Sequence, residues 1–405
     1  MCKCCSTKTS KNIWFYVIAL SMGILCGFSG IDFLEQLGKY CSEVFIRIFK
    51  CISIPVVSLS VIVALAGYDS DKSMVKVWKK TLFYTITTTI AAASISAILY
   101  ILISPANVAI ASSENTNCTQ IAADYSKYFL EIIPDNILRS FIDHKILSVL
   151  LISVIIGISI RAIKESDSRH SVVSFFKGFH SIFFTITRFI VKVLPIGLFG
   201  FVVVSISEFK NGTDLRGMGS YFLVIVLANL VQGLLVLPTW LAVKGINPIQ
   251  TMKAMFPALS VAFFSKSSSA ALPVTIETAE TKLLIDPRIS RFTLPLCTTI
   301  NMNGCAAFIF TTVIYLMQNH GIEIEPSTIL TWILIATIAA VGNAGVPMGC
   351  FFLSASLLSM MDIPMPLMGV ILPFYGIVDM IETSLNVWSD SCVTAIVDKD
   401  LKSHE

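Results

Sequence analysis

Apolar stretches long enough to cross a lipid bilayer recur along almost the whole chain of 405 residues. A helix of about 20 apolar residues spans the hydrocarbon core. Hydrophobic residues make up 55% of the sequence and charged residues 14%, whereas soluble proteins carry about 25% charged residues. The sequence therefore predicts an all-helical polytopic membrane protein with eight transmembrane spans, at 13–30, 41–67, 81–104, 145–163, 180–205, 219–243, 291–317 and 367–397.

Two further apolar stretches, 254–284 and 328–362, are interrupted near their centres by small and polar residues. The first contains SKSSSAALP (265–273) and the second contains GNAGVPMG (342–349). Such interruptions free backbone polar groups that lipid cannot satisfy, so they occur only inside protein or beside a wet cavity. We predict that each stretch is a re-entrant helical hairpin with its tip near the membrane midplane. The alternative is a full-length helix with a kink.

Lysine and arginine are concentrated in every second connecting segment. They cluster in the N-terminal tail, in 72–80 and in 161–177, and the loops between these segments have few. Positive residues stay on the cytoplasmic side of a membrane. Both termini are therefore predicted to be cytoplasmic, including the tail 399–405, in a multi-pass protein of the cell membrane. The sequence has no basic patch interleaved with aromatic residues, so nucleic acid is not an expected partner.

The last apolar stretch carries acidic residues where a plain membrane anchor has none. Its polar side chains are three or four residues apart and share one helical face: Asp379, Glu382, Thr383, Asn386 and Asp390. A carboxylate at bilayer depth is costly unless it meets a cation, a proton or water, so it marks a binding site or pathway. This stripe predicts a site for cations. A soluble core helix with a solvated polar face would show the same spacing.

The span 291–317 is also polar at its centre. Asn301, Asn303 and Gly304 favour a local break in the helix that exposes carbonyl oxygens, the ligands that hard cations such as sodium prefer. A buried asparagine pair that joins two helices is the alternative. Lys266 beside a serine cluster suggests a serine/lysine hydrolase, but adjacent residues do not face each other, and we do not predict an enzyme.

The two C-terminal portions, 254–317 and 328–397, share one plan: an interrupted hairpin followed by a polar span. This plan is typical of inverted repeats that meet at a central binding site. Four motifs occur in this region in the order SKSSSAALPVT (265–275), NMNGC (301–305), GNAGVP (342–347) and DMIETSLNVWSD (379–390). Together they resemble the dicarboxylate/amino acid:cation symporter family, which contains glutamate and neutral amino acid transporters.

The resemblance implies a secondary active transporter that uses sodium, or protons, as the coupling ion and no other cofactor. It implies a transport core at 248–398, formed by both hairpins and the last two spans. The region 1–247 would supply six helices for the scaffold, the trimer interface and the periphery of the core. The family assembles as homotrimers in which each core moves across the membrane in an elevator mechanism.

The resemblance also implies site residues. The substrate would contact both hairpins, the polar centre of span 291–317 and the polar face of the last span, at Ser267, Ser268, Ser269, Met302, Cys305, Gly345, Val346, Asp379, Glu382, Thr383 and Asn386. One sodium site would use the Cys297 carbonyl with Asn301, Asn386 and Asp390, a second would use Thr299, Met302, Val341 and Asn343, and a third would use Tyr84, Thr87 and Thr88 with Asn303.

Positions at the substrate site and at the third sodium site depart from the family pattern. Members that carry acidic substrates have an arginine where this chain has Glu382, because a guanidinium grips a side-chain carboxylate bidentately. Cys305 replaces a threonine that helps to hold the same carboxylate. We therefore expect an amino acid that is neutral or has a cationic side chain, rather than glutamate or aspartate. Asn303 replaces an aspartate of the third sodium site, so coupling is expected to use fewer sodium ions, or protons.

Several alternatives stay open at this point. Glu382 could be protonated, or neutralised by Lys266. The chain could be a sodium- or proton-coupled carrier of dicarboxylates or glutamate. It could also be an uncoupled channel or a sensor that uses the same fold.

Overall fold

The computed structural model describes residues 15, 18–19, 21–66, 72–108, 133–143, 146–210, 216–343, 348–361, 363–364 and 366–402. These residues form helices and the loops between them, which confirms the prediction of an all-helical chain. The N-terminal part contains α1 (21–29), α2 (Asp32–Ala66), α3 (Lys72–Ile103), α4 (Ile137–Ile142), α5 (Ile146–Ala162), α6 (Ser166–Lys210) and α7 (Arg216–Val231).

The C-terminal part follows a π-helical segment, Gln232–Val236, that continues α7. It contains α8 (Leu237–Val243), α9 (Pro248–Ser265), α10 (Ser268–Lys282), α11 (Pro287–Ile300), α12 (Asn303–Asn319), α13 (Pro326–Val341), α14 (Gly349–Met360) and α15 (Pro366–Lys402).

Three helical stretches in the described residues are long and apolar enough to cross a membrane: Lys76–Ile103, Gly217–Val243 and Pro287–Asn319. The helix surfaces expose many large apolar side chains, among them Phe83, Leu102, Leu234, Phe256, Leu330 and Ile377. Polar side chains such as Gln232, Asn301 and Asp390 are buried instead. Apolar surfaces around a polar interior are the arrangement that lipid surroundings favour.

The first interrupted stretch, α9 and α10, is a pair of helices packed against each other. Asn247 begins α9 by accepting hydrogen bonds from the Ile249 and Gln250 backbone amides, with Pro248 at the first helical position. The helix ends at Lys266, whose backbone has φ 54° and ψ 31° in the left-handed region. Ser267 then caps α10 by accepting from the Ala270 amide. The break predicted at 265–273 is therefore confirmed, and we name this pair hairpin 1.

The second interrupted stretch is formed by α13 and α14, which we name hairpin 2. Helix α13 ends at Val341, and α14 begins at Gly349 after Met348 in the left-handed conformation. Residues 344–347, between them, lie outside the described residues. Both arms of hairpin 2 pack against α12. The predicted interruption at 342–349 is confirmed.

Helices α11 and α12 form one long element that is broken at its centre. Asn301 (φ −101°, ψ 73°) and Met302 (φ −109°, ψ 66°) leave the helical conformation, as the sequence predicts. The membrane-length window across this break is 100% buried. Helix α12 packs against α3, α7, α13, α14 and α15, so the break lies at the centre of the protein.

The remaining helices surround this centre. Helix α2 packs along α6 and α5, and α2 also contacts α11 and α14. Close approach of α2 and α6 depends on glycine, because a Cβ on Gly200 would lie 2.7 Å from the Gly38 carbonyl oxygen. Two main apolar clusters result: one is built around α12, and the other joins hairpin 1, α11 and the C-terminal half of α15.

A charged cluster joins three helices at one end of the protein. The Lys244 ammonium, just after α8, lies 3.0 Å from the Asp400 carboxylate on α15, and Lys80 on α3 lies 3.9 Å from it. The Tyr84 hydroxyl also donates to Asp400. Burial alone raises the pKa of Asp400, but hydrogen bonds from Tyr84 and Lys244 outweigh it and hold that pKa below the ordinary value.

Candidate functional site

The polar face of α15 is buried inside the protein. Asp379 is 5% exposed, Glu382 1%, Asn386 3% and Asp390 1%. The alternative of a soluble helix with a solvated polar face is therefore wrong. Buried carboxylates need a partner of opposite charge, a proton or an ordered ligand. The apolar packing around this face does not provide such a partner.

A narrow cavity of about 10 Å³ lies against this face, with room for about one water molecule. Its lining combines the tip of hairpin 1, the start of α12, the end of α13 and the middle of α15: Lys266, Ser268, Met302, Cys305, Asn343, Asp379, Glu382, Thr383 and Asn386. Four separate chain segments thus converge here, and eight of the nine lining side chains are polar, charged or sulfhydryl. An amino acid can enter only if one of these segments moves.

Two carboxylate oxygens at the cavity have no hydrogen-bond donor in the described part of the chain. They are Asp379 Oδ2 and Glu382 Oε1. The other Glu382 oxygen accepts from the Tyr375 hydroxyl at 3.2 Å, and the Met348 backbone and the Thr383 side chain lie near the Asp379 carboxylate. Lys266 lies close enough for its charge to act on Asp379. The free oxygens can accept hydrogen bonds from an ammonium or another donor of a ligand.

Sulfur atoms and a side-chain amide also surround the cavity. Asn343 Nδ2 donates to the sulfur of Cys305 at 2.8 Å and to the sulfur of Cys350 at 3.4 Å. Its oxygen Oδ1 has no donor among the described residues. The Met302 sulfur is 4.0 Å from the same amide nitrogen. The predicted residues Met302, Cys305 and Asn343 therefore meet, at the join between α12 and hairpin 2.

The broken centre of α11 and α12 is linked to α15 by side-chain amides. Asn301 Nδ2 donates to Asp390 Oδ1 at 2.9 Å and to the Ser389 hydroxyl at 2.9 Å. Asn303 Nδ2 donates to the same hydroxyl at 2.8 Å. The Cys297 carbonyl accepts from the Asn301 backbone amide at 2.7 Å. The two asparagines thus lie beside a helix break and also join two helices. The predicted break and the alternative of a helix-joining asparagine pair each describe part of the structure.

The oxygen atoms of this cluster suit a small hard cation. A carboxylate, a side-chain amide and backbone carbonyls are the donor types that bind sodium-like ions. Three of the four residues predicted for the first sodium site lie around the break: Cys297, Asn301 and Asp390. The fourth, Asn386, accepts from the Gly304 amide at 2.8 Å and also lines the cavity.

The residues predicted for the third sodium site do not all lie together. Thr88 donates to Asn301 Oδ1 at 3.1 Å. The Thr87 side chain is exposed and donates to its own helix at Phe83, and the Tyr84 hydroxyl contacts Asp400 instead. The hydroxyl that reaches Asn303 is that of Thr89, at 3.1 Å. The structure therefore does not bring the hydroxyls of Tyr84 and Thr87 to Asn303, because they leave α3 in other directions.

The other predicted residues are distributed around the same region. Ser267 and Ser268 are buried at the start of α10, and Ser269 is half-buried there. Thr299 donates to the Pro295 carbonyl within α11, and Val341 is the last residue of α13. Gly345 and Val346 lie outside the described residues.

Four functional candidates were missed from the sequence: Thr89, Cys350, Tyr375 and Ser389. Thr89 had a usable signal, because Thr85, Thr88 and Thr89 share one helical face and Thr87 faces away. Tyr375 precedes Glu382 by seven residues, two helical turns, so it also shares the predicted polar face. Ser389 follows Glu382 by the same seven residues and therefore also shares this face, whereas Cys350 carried no local signal.

The fold and site together define a helical membrane protein with a buried, ion-compatible polar site between two interrupted helix pairs. The model of the sodium:dicarboxylate symporter family matches residues 13–400. The chain belongs to this family. It is accordingly a transporter and not an enzyme.

Relatives in animals and bacteria resemble the chain over nearly its full length. It is 25% identical to excitatory amino acid transporter 3 of Mus musculus, over 96% of this chain and 86% of the relative. It is 27% identical to the proton/sodium-glutamate symport protein of Geobacillus stearothermophilus, over 95% of this chain and 93% of the relative. It is 25% identical to neutral amino acid transporter B(0) of Oryctolagus cuniculus, over 96% and 81%.

Proposed function

We propose that this symporter couples the inward movement of sodium to the uptake of an amino acid that is neutral or has a cationic side chain. The relatives are named for acidic and for neutral amino acids, so the family alone leaves the substrate open. Glu382 carries the proposal. It is 1% exposed, lines the cavity and has a carboxylate oxygen without a donor among the described residues.

The charged residues around the cavity are one lysine, Lys266, and two carboxylates, Asp379 and Glu382, and this excess of carboxylates disfavours an acidic substrate. Glu382 and Asp379 lie on the same helical face, and a third carboxylate from a glutamate side chain would be repelled by both. A primary ammonium or guanidinium would instead pair with the free Glu382 oxygen. Asp379 would bind the α-amino group, and Ser267, Ser268 and Ser269 would face the α-carboxylate. Gly345 and Val346 would cover the bound substrate.

Sodium would bind first at the break between α11 and α12, to Asp390, Asn301, Asn386 and the Cys297 carbonyl. The donor atoms there support this assignment. A second ion would bind Thr299 and Met302 with carbonyls near Val341 and Asn343, and so favour closure of hairpin 2 over the substrate. The third site, at Thr88 and Asn303, lacks the carboxylate of its family counterparts. Coupling would then use fewer sodium ions, with protons as the alternative.

The full architecture is part of the proposal. Eight spans and two re-entrant hairpins would cross a cell membrane with both termini in the cytoplasm. The packing of α2 along α5 and α6 supports a scaffold in the region 1–247, and the convergence of hairpins 1 and 2 on α12 and α15 supports a transport core at 248–398. Three copies would assemble through their scaffolds, and each core would move as an elevator.

The decisive experiment is an uptake screen of the common amino acids in proteoliposomes, with and without a sodium gradient. The wild type should take up a neutral or basic amino acid only with sodium. Glu382→Arg should shift the preference toward aspartate or glutamate, because a guanidinium would replace the carboxylate at the cavity. Glu277→Arg makes the same charge change at an exposed position of α10 and should not alter the preference.

Preference of the wild type for glutamate would contradict the substrate assignment and favour a glutamate or dicarboxylate carrier. Uptake driven by a pH gradient without sodium would contradict the sodium coupling. Currents without concentrative uptake would instead identify a channel on the same fold.

A further inference from the structure

Two cysteines link the broken helix to hairpin 2. Cys305 lies in the first turn of α12 and Cys350 in the first turn of α14, 45 residues apart in the sequence. Their Cα atoms are 5.3 Å apart, within the range that a disulfide spans, and the two sulfur atoms are in direct contact. Both residues are at most 2% exposed. This is the one cysteine pair in such contact in the described part of the chain.

The Cys305–Cys350 pair lies at the cavity. Cys305 is one of the lining residues, and the Glu382 carboxylate lies within 4.8 Å of both sulfur atoms. The amide of Asn343, at the end of α13, donates to both sulfurs. A covalent bond between these two sulfurs would fasten the start of α14 to α12 beside the groups proposed to hold the substrate.

The cavity has room for only about one water molecule, so an amino acid needs one of the lining segments to move away. Without a covalent link, side-chain packing alone holds α14 against α12, and the two helices can separate. A disulfide limits the separation of the Cys305 and Cys350 Cα atoms to about 7 Å.

We propose that the Cys305–Cys350 pair is a reversible redox lock. The disulfide holds hairpin 2 against α12 and stops transport, and the dithiol form lets hairpin 2 open. The effect on transport rests on the proposed function, whereas the effect on hairpin 2 does not.

The redox step is a thiol–disulfide exchange with a small disulfide such as oxidised glutathione. The Cys305 thiolate attacks one sulfur of the reagent and releases one thiol, and the Cys350 thiolate then attacks the mixed disulfide and releases the second thiol. Two protein thiols are oxidised to one disulfide, and the reagent is reduced to two thiols. Cys305 is the first to react because it lines the cavity. A small dithiol reverses the reaction.

The test uses full-length protein in three readouts after treatment with a dithiol or with oxidised glutathione. Maleimide labelling followed by mass spectrometry should modify Cys305 and Cys350 only after reduction. Hydrogen–deuterium exchange of 349–360 should increase on reduction. Sodium-dependent uptake should fall at least about tenfold on oxidation, because an opening step that gates transport limits its rate.

Cysteine variants distinguish the Cys305–Cys350 lock from oxidation elsewhere in the protein. Cys350→Ala should make both exchange and uptake insensitive to oxidised glutathione, and Cys350→Ser serves as a second variant if the alanine protein is unstable. Cys392→Ala removes a buried free thiol on α15 and should respond to oxidation as the wild type does.

Labelling of both cysteines without reduction, or equal exchange of 349–360 in the two states, would overturn the proposal. Equal uptake in both redox states would overturn the lock and leave the proposed function standing. If no amino acid is taken up in either state but exchange of 349–360 still rises on reduction, the lock stands and the proposed function fails.

Discussion

Asn301 donates a hydrogen bond of 2.9 Å from its side-chain amide to the carboxylate of Asp390. This contact joins the break between α11 and α12 to the polar face of α15. It places a carboxylate beside a break in the helix, and carboxylate and carbonyl oxygens are the donors that hard cations prefer.

Replacing the carboxylate at this contact tests the first sodium site. Asp390→Asn keeps the size of the side chain and removes its charge, so the sodium concentration for half-maximal uptake should rise at least about tenfold. Titrating uptake with sodium measures this half-maximal concentration. Asp398→Asn, two turns further along α15, removes a carboxylate that pairs with Lys402 at 2.7 Å and should leave the sodium requirement unchanged. Equal shifts in the two variants would contradict the assignment.

Two threonines on α3 provide a matched pair for stability. Thr89→Val removes the donor to the buried Asn303 Oδ1 and should lower the free energy of unfolding by about 1–3 kcal/mol, because that oxygen loses its partner. Thr87→Val changes an exposed side chain that bonds only to its own helix and should change stability by less than about 0.5 kcal/mol. Thermal unfolding in detergent measures both. A larger loss of unfolding free energy for Thr87→Val than for Thr89→Val would show that the buried face of α3 is assigned wrongly.

Gly304 allows α12 and α15 to approach closely. A Cβ at this position would lie 2.8 Å from the Glu382 Cα and 2.9 Å from Asn229 Oδ1. Gly304→Ala should therefore displace α15 and cost about 1–3 kcal/mol by overpacking, together with a loss of substrate binding.

Gly219 on α7 is the control for this substitution, because a Cβ there meets no atom within 4 Å. Gly219→Ala should be neutral, or stabilise the helix by a few tenths of a kcal/mol to about 1 kcal/mol. Thermal unfolding and yield of folded protein compare the two variants. Wild-type stability of Gly304→Ala would mean that α15 lies further from α12.

The charged cluster at Asp400 should contribute to stability in a pH-dependent way. The pKa of Asp400 is lowered in the folded protein despite its partial burial, so its contribution is complete above the ordinary carboxyl value near about 4 and is lost as the pH falls through the folded pKa. Asp400→Asn should cost about 0.5–1 kcal/mol at neutral pH, since the group is partly screened by solvent.

Arg291 provides the matched control for the Asp400 cluster. Its pair with Glu280, at 2.8 Å, is exposed on the arginine side and joins neighbouring segments of the chain. Arg291→Gln should therefore have a smaller effect on thermal unfolding than Asp400→Asn at pH 7. The difference between Asp400→Asn and the wild type should also shrink below about pH 4. A difference that stays constant with pH would show that Asp400 does not act through its charge.

Much of the fold follows from local sequence. Runs of apolar residues predicted helices, and the serine, glycine and proline clusters predicted the breaks in both hairpins. Asn301 and Gly304 predicted the break between α11 and α12, where backbone leaves the helix at Asn301 and Met302. These features are determined by residues within a few positions of each other, so a single sequence contains enough information to find them.

The polar face of α15 is also local, because helical periodicity alone brings Asp379, Glu382 and Asn386 to one side. What that face meets is not local. Ser389 binds two asparagines of another element, Cys350 reaches Cys305 from 45 positions away, and Asp400 meets Lys80 from 320 positions away. No spacing in the sequence encodes these distances.

The sequence by itself thus determined the helices, their interruptions and the polar stripe, because backbone hydrogen bonding and side-chain periodicity act over one or two turns. Helical spacing already groups Thr89 with Thr88 and apart from Thr87, but only the tertiary structure decided that this face of α3 meets Asn303. Only the tertiary structure decided, likewise, that Tyr84 turns to Asp400. Those contacts depend on how α3 is rotated against α12 and α15. That rotation is fixed by the packing of the whole buried centre, in which each helix must satisfy several neighbours at once.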